Sequence, residues 1–280
     1  MPELPEVETI KKRLESLVVG KTITQIEILH PKSFQGNVEQ VIGQRIVALS
    51  RRAKLLQIIL ENGYSLLIHL KMTGQLIYEG ATRVGGGHPT ADWVKKLPSK
   101  HTRIIFYFSD KERLFFNDIR VFGWVRTLSP EEVKREFSKY GPDINDANLS
   151  ASYLIEQFGR RSINIKQALM MNQIVAGVGN IYACDALNLA KIDPQKAAYQ
   201  LTENEVVRLF EAAQTVINRG IEKGGATVEN YVHVDGFAGQ YQSVMLVYGK
   251  EGQACPNCGA KIIKMKVAGR GTYYCMSCQL

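Results

Sequence analysis

Hydrophobic positions along the chain change their spacing twice. Apolar residues recur every three or four positions from Leu4 to Leu17, and this spacing predicts a helix over residues 2–17. From about residue 22 to 126, short runs rich in β-branched and aromatic residues alternate with turn residues, which is typical of strands. The runs predict strands at 23–29, 46–49, 53–60, 64–70 and 103–108, a hairpin turn at Asn62–Gly63 and a long loop from Gly80 to Lys100.

Beyond Thr127 the spacing becomes helical again. Ser129 and Glu132, with Pro130 between them, form a capping box, and Thr202 with Glu205 forms a second one. Helices are predicted near 150–157, 166–171, 180–190 and 203–223, with Gly224–Gly225 ending the last. The change from strands to helices indicates an α+β chain whose strand-rich first part is a sandwich or a barrel.

Composition adds a preference for a polyanionic partner. The 280 residues carry a formal net charge of +8 and a pI near 9.2, which favours nucleic acid only slightly over an ordinary basic enzyme. No apolar run approaches the roughly 20 residues of a membrane span, and the first residues lack a signal-peptide pattern. We therefore expect a cytoplasmic protein with no membrane partner.

Four of the five cysteines have the spacing of a metal site. Cys255 and Cys258 are followed after sixteen residues by Cys275 and Cys278, and two such pairs fit a tetrahedral four-thiolate zinc site. No coordination position is left open, so the expected cofactor is one structural Zn²⁺ that holds a hairpin between the pairs. Zinc ribbons bind DNA, RNA or protein, so this motif alone does not select the partner. Cys184 stands apart and is predicted to be a buried small apolar residue.

The N-terminus offers a possible nucleophile. If Met1 is removed, Pro2 has a free secondary amine, and attack of that amine on a sugar carbon gives an iminium ion. The positive end of the following helix favours the unprotonated amine, and Glu3 and Glu6 lie close by in sequence. A proline before a helix, with acids in the first turn, is also an ordinary way to begin a helix.

Six motifs in one order connect these features. They are PELPEVET at 2–9, RRAK at 51–54, HLKMTG at 69–74, NDIRVFG at 117–123, GVGNIYA at 177–183 and GRGT at 269–272. Together they resemble bacterial formamidopyrimidine-DNA glycosylase, in the wider family that includes endonuclease VIII. The resemblance covers nearly the whole chain.

The resemblance implies a fold and three domains. It implies an N-terminal β-sandwich with flanking helices over residues 1–128, a helix–two-turn–helix DNA-binding domain over 129–230, and a zinc-finger hairpin over 231–280. It also implies a bifunctional DNA glycosylase and AP lyase that acts as a monomer on damaged double-stranded DNA. Oxidised purines, such as 8-oxoguanine and formamidopyrimidines, are the expected substrates.

The resemblance further implies roles for single residues. Pro2 would attack C1′ of the damaged nucleotide, Glu3 would act as general acid, Lys54 would serve in β-elimination, and Arg270 would bind phosphate and assist δ-elimination. Met72, Arg120 and Phe122 match residues that enter the duplex when a base is extruded. The other implied DNA contacts are His101, Arg161, Lys166 and Asn180. Outside the resemblance, Met72 would be a core residue, Phe122 an aromatic residue of a β-sheet, Asn180 a helix cap, and Asp118 and Arg120 an ordinary salt bridge.

The chain departs from the family pattern at several positions. Arg103 stands where a second histidine is usual, and it either faces DNA or supports its loop. Asp185 stands where a glutamate is frequent, and the loop at 79–99 looks individual. The segment 224–231 resembles the lid that closes over an extruded 8-oxoguanine, which favours the formamidopyrimidine branch.

Three rival interpretations remain open at this point. A glycosylase of the same family could prefer oxidised pyrimidines or hydantoins. A non-catalytic zinc-ribbon protein that binds nucleic acid would explain the charge and the cysteines, but not Pro2 and its acids. A tautomerase-like enzyme would explain Pro2, but not the zinc ribbon.

Overall fold

Two compact units make up the chain. The computed structural model describes residues 1–88, 96–226 and 239–280. Unit 1 comprises residues 1–139 and 223–240, and unit 2 comprises residues 140–222 and 241–280. The three-domain division stays a prediction, and its second border, at residue 230, lies outside the described residues.

The first helix of unit 1, α1 (Leu4–Val18), begins two residues later than predicted. Glu3 is its N-cap with extended backbone angles, φ −103° and ψ −166°, and Pro5 lies in the first turn. Because a proline has no N–H to donate, it is well tolerated at the start of a helix. The apolar stripe of α1, including Val7, Ile10 and Leu14, is buried in the core as the spacing predicted.

The described strands of unit 1 form two five-stranded sheets. In chain order they are β1 (Ile23–Ile28), β2 (Phe34–Gln35), β3 (Ile46–Arg52), β4 (Leu55–Leu60), β5 (Ser65–His69), β6 (Gly74–Glu79), β7 (Arg83–Gly87), β8 (Thr102–Phe108), β9 (Arg113–Asp118) and β10 (Trp124–Leu128). One sheet has the order β1-β8-β9-β6-β7 and the other β2-β10-β5-β4-β3. Neighbouring strands are antiparallel except β2 and β10, which are parallel.

The main core lies between the two sheets. Leu76, Phe106 and Phe116 from the first sheet pack in one cluster with Ile58 and Val125 from the second. Successive residues of a strand point to opposite faces of the sheet. The residues next in sequence to these core residues therefore lie on the outer face of each sheet. Phe115 on β9 packs there against Ile77, Ile105 and Leu97. The predicted sandwich is confirmed.

Several strand boundaries differ from the prediction. Ala53, predicted to be in a strand, lies in a left-handed turn at φ 56°, so β4 starts at Leu55. β7 lies inside the predicted loop and pairs with β6. The strand was not predicted because it ends in a run of glycines, which show no side-chain periodicity. Residues 89–95 of that loop lie outside the described residues. The hairpin turn at Asn62–Gly63 is confirmed, with Gly63 at φ 85°.

Unit 2 contains the predicted helices and hairpin. The helices are α3 (Ala151–Gly159), α4 (Ile165–Leu169), α5 (Asn180–Leu189) and α6 (Glu203–Glu222), and the hairpin is β11 (Ile263–Val267) with β12 (Arg270–Tyr274). Another helix, α2 (Pro130–Phe137), belongs to unit 1 and begins at the capping box of Ser129 and Glu132. The mixed α+β fold is therefore confirmed. None of the described helices has the length and apolar character that a membrane crossing requires.

Candidate functional site

The N-terminus of α1 is buried and tightly bonded. Pro2 is buried and Glu3 is 3% exposed. The Glu3 N–H donates to Glu6 Oε2 at 2.7 Å, and the Ala226 N–H donates to Glu6 Oε1 at 2.7 Å. The Glu6 carboxylate therefore joins the cap of α1 to the residues that follow α6. Gly225 must be a glycine here, because its φ is 86° and a Cβ would lie 2.8 Å from Glu6 Cγ.

A salt bridge ties the turn that carries Lys54 to the same helix. Arg51 Nε lies 2.8 Å from Glu8 Oε2 of α1, and Arg51 Nη1 donates to the Ala53 carbonyl at 2.9 Å. Lys54 follows at 6% exposure, which is unusual for a lysine. The structure thus anchors Lys54 and Glu3 to one helix, from segments fifty residues apart in sequence.

His69 sits beside this turn in an uncharged form. It pairs with Leu55 across β4 and β5, and its Nδ1 accepts a hydrogen bond from the Lys71 N–H at 3.0 Å. Burial lowers the pKa of His69 to about 3, and the positive charges of Lys71, Lys54 and Arg126 contribute to the same shift. A neutral ring can keep Nδ1 as an acceptor, so His69 fixes the start of the turn that carries Met72.

Two exposed loops of unit 1 present large side chains. Met72 is 40% exposed and Phe122 is 52% exposed, although apolar side chains of this size usually lie inside. The Arg120 guanidinium lies 4.7 Å from the centre of the Phe122 ring. The alternative of an Asp118–Arg120 salt bridge is wrong, because the Asp118 carboxylate accepts from the Arg120 backbone N–H at 3.2 Å instead.

Arg103 supports its own loop. Its Nε donates to the Asp118 carbonyl at 2.7 Å, and its Nη1 donates to the Lys100 carbonyl at 3.3 Å. His101, between these positions, is half-buried, and its N–H donates to Ser99 Oγ at 3.1 Å. Arg103 therefore supports the loop that carries His101, which is one of the two roles that the sequence left open.

In unit 2, a buried lysine joins α4, α5 and the hairpin. Lys166 is 1% exposed, and its Nζ donates to Asn180 Oδ1 at 2.5 Å and to Thr272 Oγ1 at 2.8 Å. Asn180 Nδ2 donates to the Gly271 carbonyl at 2.9 Å. Asn180 is not a helix cap, since the N-cap of α5 is Gly179. The Asn180 side chain instead holds the tip of the hairpin against α5.

Basic groups surround this junction. Arg270, at the start of β12, is exposed and lines a cavity of about 250 Å³ together with Lys166, Gln167 and Met171. Arg161 follows α3 and is half-buried, and its Nε has no hydrogen-bond partner among the described residues. The α5 N-terminus adds partial positive charge to this side of unit 2.

The four cysteines come together as the spacing predicted. Their sulfur atoms all lie within 4.8 Å of one another, with Cys255 and Cys278 at 3.7 Å and Cys258 and Cys275 at 3.5 Å. Tetrahedral Zn²⁺ with Zn–S bonds of about 2.3 Å needs sulfur atoms about 3.8 Å apart. The geometry therefore fits zinc. Cys184 is 1% exposed and packs beside this cluster, as predicted.

Asp185 connects α5 to the chain that leads into the cysteines. It is fully buried and accepts hydrogen bonds from the backbone N–H groups of Leu246, Val247 and Tyr248 and from the Tyr241 hydroxyl, at 2.9–3.2 Å. Burial raises the pKa of Asp185, and the three backbone bonds oppose that rise. The shorter carboxylate at this position is thus fully bonded.

Comparison with known proteins identifies the family. Models of the formamidopyrimidine-DNA glycosylase N-terminal domain, its H2TH domain and the zinc finger found in FPG and IleRS match residues 1–125, 140–232 and 252–280. Formamidopyrimidine-DNA glycosylases of Pelotomaculum thermopropionicum and Desulforamulus reducens are 37% and 39% identical, over 100% of this chain and 99% of each relative.

Solved structures agree with the sequence relatives. The crystal structure of the Thermus thermophilus MutM (FPG) protein has a TM-score of 0.86 and 34% identity, over 99% of this chain and 98% of that chain. A Lactococcus lactis variant in complex with Fapy-dG-containing DNA has a TM-score of 0.88 and 33% identity, over 99% of both chains. The chain belongs to the formamidopyrimidine-DNA glycosylase family.

Membership in the formamidopyrimidine-DNA glycosylase family settles the class of enzyme. The chain is a DNA-repair glycosylase that is also an AP lyase. The tautomerase-like and non-catalytic interpretations are therefore wrong. The zinc-finger match and the cysteine geometry together confirm one structural zinc.

Sequence reasoning missed the residues that support the site. Thr73 and Asp118 lie inside quoted motifs, but only the structure shows that their side chains bond to each other. Arg51 and His69 also lie inside quoted motifs, and neither was given a role. No local pattern in the sequence pointed to these roles, because the partners of a buried polar residue come from other segments.

Proposed function

We propose that this glycosylase removes oxidised purines, including 8-oxoguanine and formamidopyrimidines, from double-stranded DNA through a covalent intermediate on Pro2. The observation that carries the proposal is the buried N-terminus of α1, where Pro2 directly precedes the N-cap Glu3. Once Met1 is removed, the Pro2 nitrogen has a lone pair at the positive end of a helix, which favours the unprotonated amine.

The first step joins the enzyme to the sugar. The Pro2 nitrogen attacks C1′, and the bond from C1′ to the damaged base breaks as the base leaves with the electron pair. Glu3 acts as general acid toward the leaving base or the sugar ring oxygen, and opening of the ring leaves an iminium ion between Pro2 and C1′. Glu3 directly follows Pro2 in the chain and is 3% exposed, so its carboxyl lies beside the proposed nucleophile.

The next steps break the DNA strand. The iminium ion withdraws electrons from the sugar, so the proton on C2′ is lost and the 3′ phosphate leaves in β-elimination. Lys54, buried in a turn held to α1, serves this step. Arg270, exposed beside Lys166, binds phosphate and assists the δ-elimination that releases the 5′ phosphate.

Side chains on both units bind the DNA. Met72 and Phe122 fill the space that the extruded nucleotide leaves, and Arg120 hydrogen-bonds to the base opposite. Positive charge and helix N-termini bind the backbone phosphates, and we assign this role to His101, Arg161 and Asn180. Lys166 acts from a buried position by orienting Asn180. The zinc holds the hairpin that carries Arg270, and we propose that the enzyme works as a monomer.

The relatives support an oxidised purine as the substrate. Several solved relatives are complexes with DNA that contains Fapy-dG, carbocyclic 8-oxo-G or an abasic site. The lid-like segment at 224–231 also favours this branch in sequence, although residues 227–231 lie outside the described residues. The alternative, a preference for oxidised pyrimidines or hydantoins, differs in the base that is released and not in the steps on the sugar.

Borohydride trapping tests the proposal. The protein is incubated with duplexes that contain 8-oxoguanine opposite cytosine, an oxidised pyrimidine or a hydantoin, and borohydride reduces any iminium ion to a stable adduct. We expect the fastest adduct with 8-oxoguanine, and none from Pro2→Gly. Faster trapping on the pyrimidine or the hydantoin would favour the alternative, and no adduct on any damaged duplex would contradict the covalent mechanism.

A further inference from the structure

A buried carboxylate connects the loops that carry Met72, Arg120 and Phe122. Asp118, at the end of β9, is 0% exposed. Its Oδ1 accepts hydrogen bonds from the Thr73 hydroxyl and from the Arg120 N–H at 3.2 Å, and its Oδ2 accepts from the Gly123 N–H at 2.6 Å. Thr73 directly follows Met72, Gly123 directly follows Phe122, and Arg120 donates through its own backbone.

The donors also bond among themselves. Thr73 Oγ1 accepts a hydrogen bond from the Arg120 N–H at 3.0 Å while it donates to Asp118. A carboxylate that is buried without hydrogen bonds is strongly unfavourable, and bonds to an ionised acceptor are stronger than neutral ones. The 71–73 turn and the 119–123 loop therefore share one set of bonds, which neither segment can make alone.

The backbone of Asp118 fastens a third segment to the same place. Its N–H donates to the His101 carbonyl at 2.9 Å, and its carbonyl accepts from Arg103 Nε at 2.7 Å. Arg103 also donates to the Lys100 carbonyl at 3.3 Å. Asp118 is thus the common partner of every unit 1 segment to which a DNA contact was assigned.

Both exposed loops have unfavourable backbone angles. Lys71 has φ 51° and Val121 has φ 57°, both in the left-handed region. Residues other than glycine are uncommon there, and a β-branched residue such as Val121 rarely adopts it. Such angles persist only where surrounding bonds hold them, and they cluster at functional sites. Gly123 allows the close approach, because a Cβ there would lie 2.8 Å from Phe116 Cζ and 3.1 Å from Asp118 Oδ2.

We infer that Asp118, acting with the Thr73 hydroxyl, is a positioning residue that holds Met72, Arg120 and Phe122 in place before DNA arrives. The inference rests on the proposed entry of these three side chains into the duplex. Segments that are already ordered lose less conformational entropy on binding. This smaller entropy loss therefore helps only the steps in which a base leaves a stacked duplex.

Two substrates separate this role from the chemistry on the sugar. Excision of 8-oxoguanine opposite cytosine requires extrusion, filling of the space and contact with the opposite base. Single-stranded DNA with an abasic site requires none of these, but still forms the iminium ion. Single-turnover excision of the first and borohydride trapping of the second are measured on the full-length protein.

Thr73→Val is the main test, because it keeps the side-chain shape and removes the hydroxyl that bonds to Asp118. Loss of a hydrogen bond to a charged group predicts duplex excision about 10- to 100-fold slower, with trapping on the single strand changed by less than about threefold. Thr73→Ser, which keeps the hydroxyl, restores excision to within about threefold by the same reasoning. Asp118→Asn, whose amide N–H₂ would face the Gly123 N–H, is expected to show the same split between the two substrates.

The remaining outcomes overturn the inference. Equal losses on both substrates would mean that Thr73 and Asp118 only keep unit 1 folded, and unchanged excision in Thr73→Val would mean that the bonds do not set the loop positions. A 2-aminopurine beside the lesion gives a second measurement, since its fluorescence rises when side chains enter the stack. Thr73→Val should slow that rise, and an unchanged rise would contradict the inference. Failure of the wild-type protein to form any adduct would instead reject the proposed function.

Discussion

The stability of unit 1 should depend on pH through His69. Burial, together with the charges of Lys71, Lys54 and Arg126, lowers the pKa of His69 from 6.5 to about 3 in the folded chain. In the unfolded chain the ring is in water and has its ordinary pKa. The stabilising contribution is therefore complete above pH 6.5, and it is lost as the pH falls toward 3.

The size of the effect follows from the difference between the two pKa values. At pH 5 the unfolded ring is about 97% protonated and the folded ring remains neutral, which lowers the free energy of unfolding by about 2 kcal/mol relative to pH 7. His69→Asn removes this titration while its side-chain oxygen can still accept the Lys71 N–H. The variant should lose about 2 kcal/mol less than the wild-type protein between pH 7 and pH 5.

Urea unfolding at both pH values measures the difference. The Trp124 ring lies 5.8 Å from the His69 ring, so its fluorescence reports on this part of unit 1. Other titrating groups are common to both proteins, so the difference between their pH dependences isolates His69. Equal pH dependence in the two proteins would show that His69 is protonated in the folded state near its ordinary pKa, and the expected effect would then be absent.

Two further predictions concern unit 2. Asp185→Asn should lower the free energy of unfolding by about 1–3 kcal/mol, because an amide N–H₂ would face backbone N–H donors in a buried site. Thermal unfolding measures this loss, and an unchanged midpoint would contradict the assigned hydrogen bonds. Zinc chelation should weaken DNA binding while the circular dichroism of the unit 1 strands persists, because the metal holds only the hairpin that carries Arg270. Equal loss of DNA binding and of the circular dichroism would show that unit 1 also depends on the metal.

The fold was predictable where side-chain spacing carries the information. The stripe of α1, the two capping boxes and the paired cysteines each depend on residues close in sequence, and the structure confirms all of them. β7 was not predictable, because its Gly85–Gly87 segment has no side chains to alternate. The turn at Ala53 was not predictable either, since its left-handed angle is held by Arg51 from another strand position.

The candidate site was predictable as a list of residues but not as an arrangement. The ordered motifs indicated Met72 and Arg120, whereas their common attachment to Asp118 depends on hydrogen bonds across 45 residues of sequence. The buried position of Lys166 was likewise missed, because a lysine in sequence is normally exposed and only tertiary contacts bury it. Long-range hydrogen bonds of this kind leave no local pattern in the sequence.

The role of Pro2 as nucleophile is tested most directly by locating the adduct on the chain. The protein is trapped with borohydride on a duplex that contains 8-oxoguanine, digested, and examined by mass spectrometry. We expect the sugar remnant on the nitrogen of Pro2 in molecules that lack Met1, and no adduct from a form that retains Met1. An adduct on Lys54, or an adduct of equal yield when Met1 is retained, would show that Pro2 is not the nucleophile.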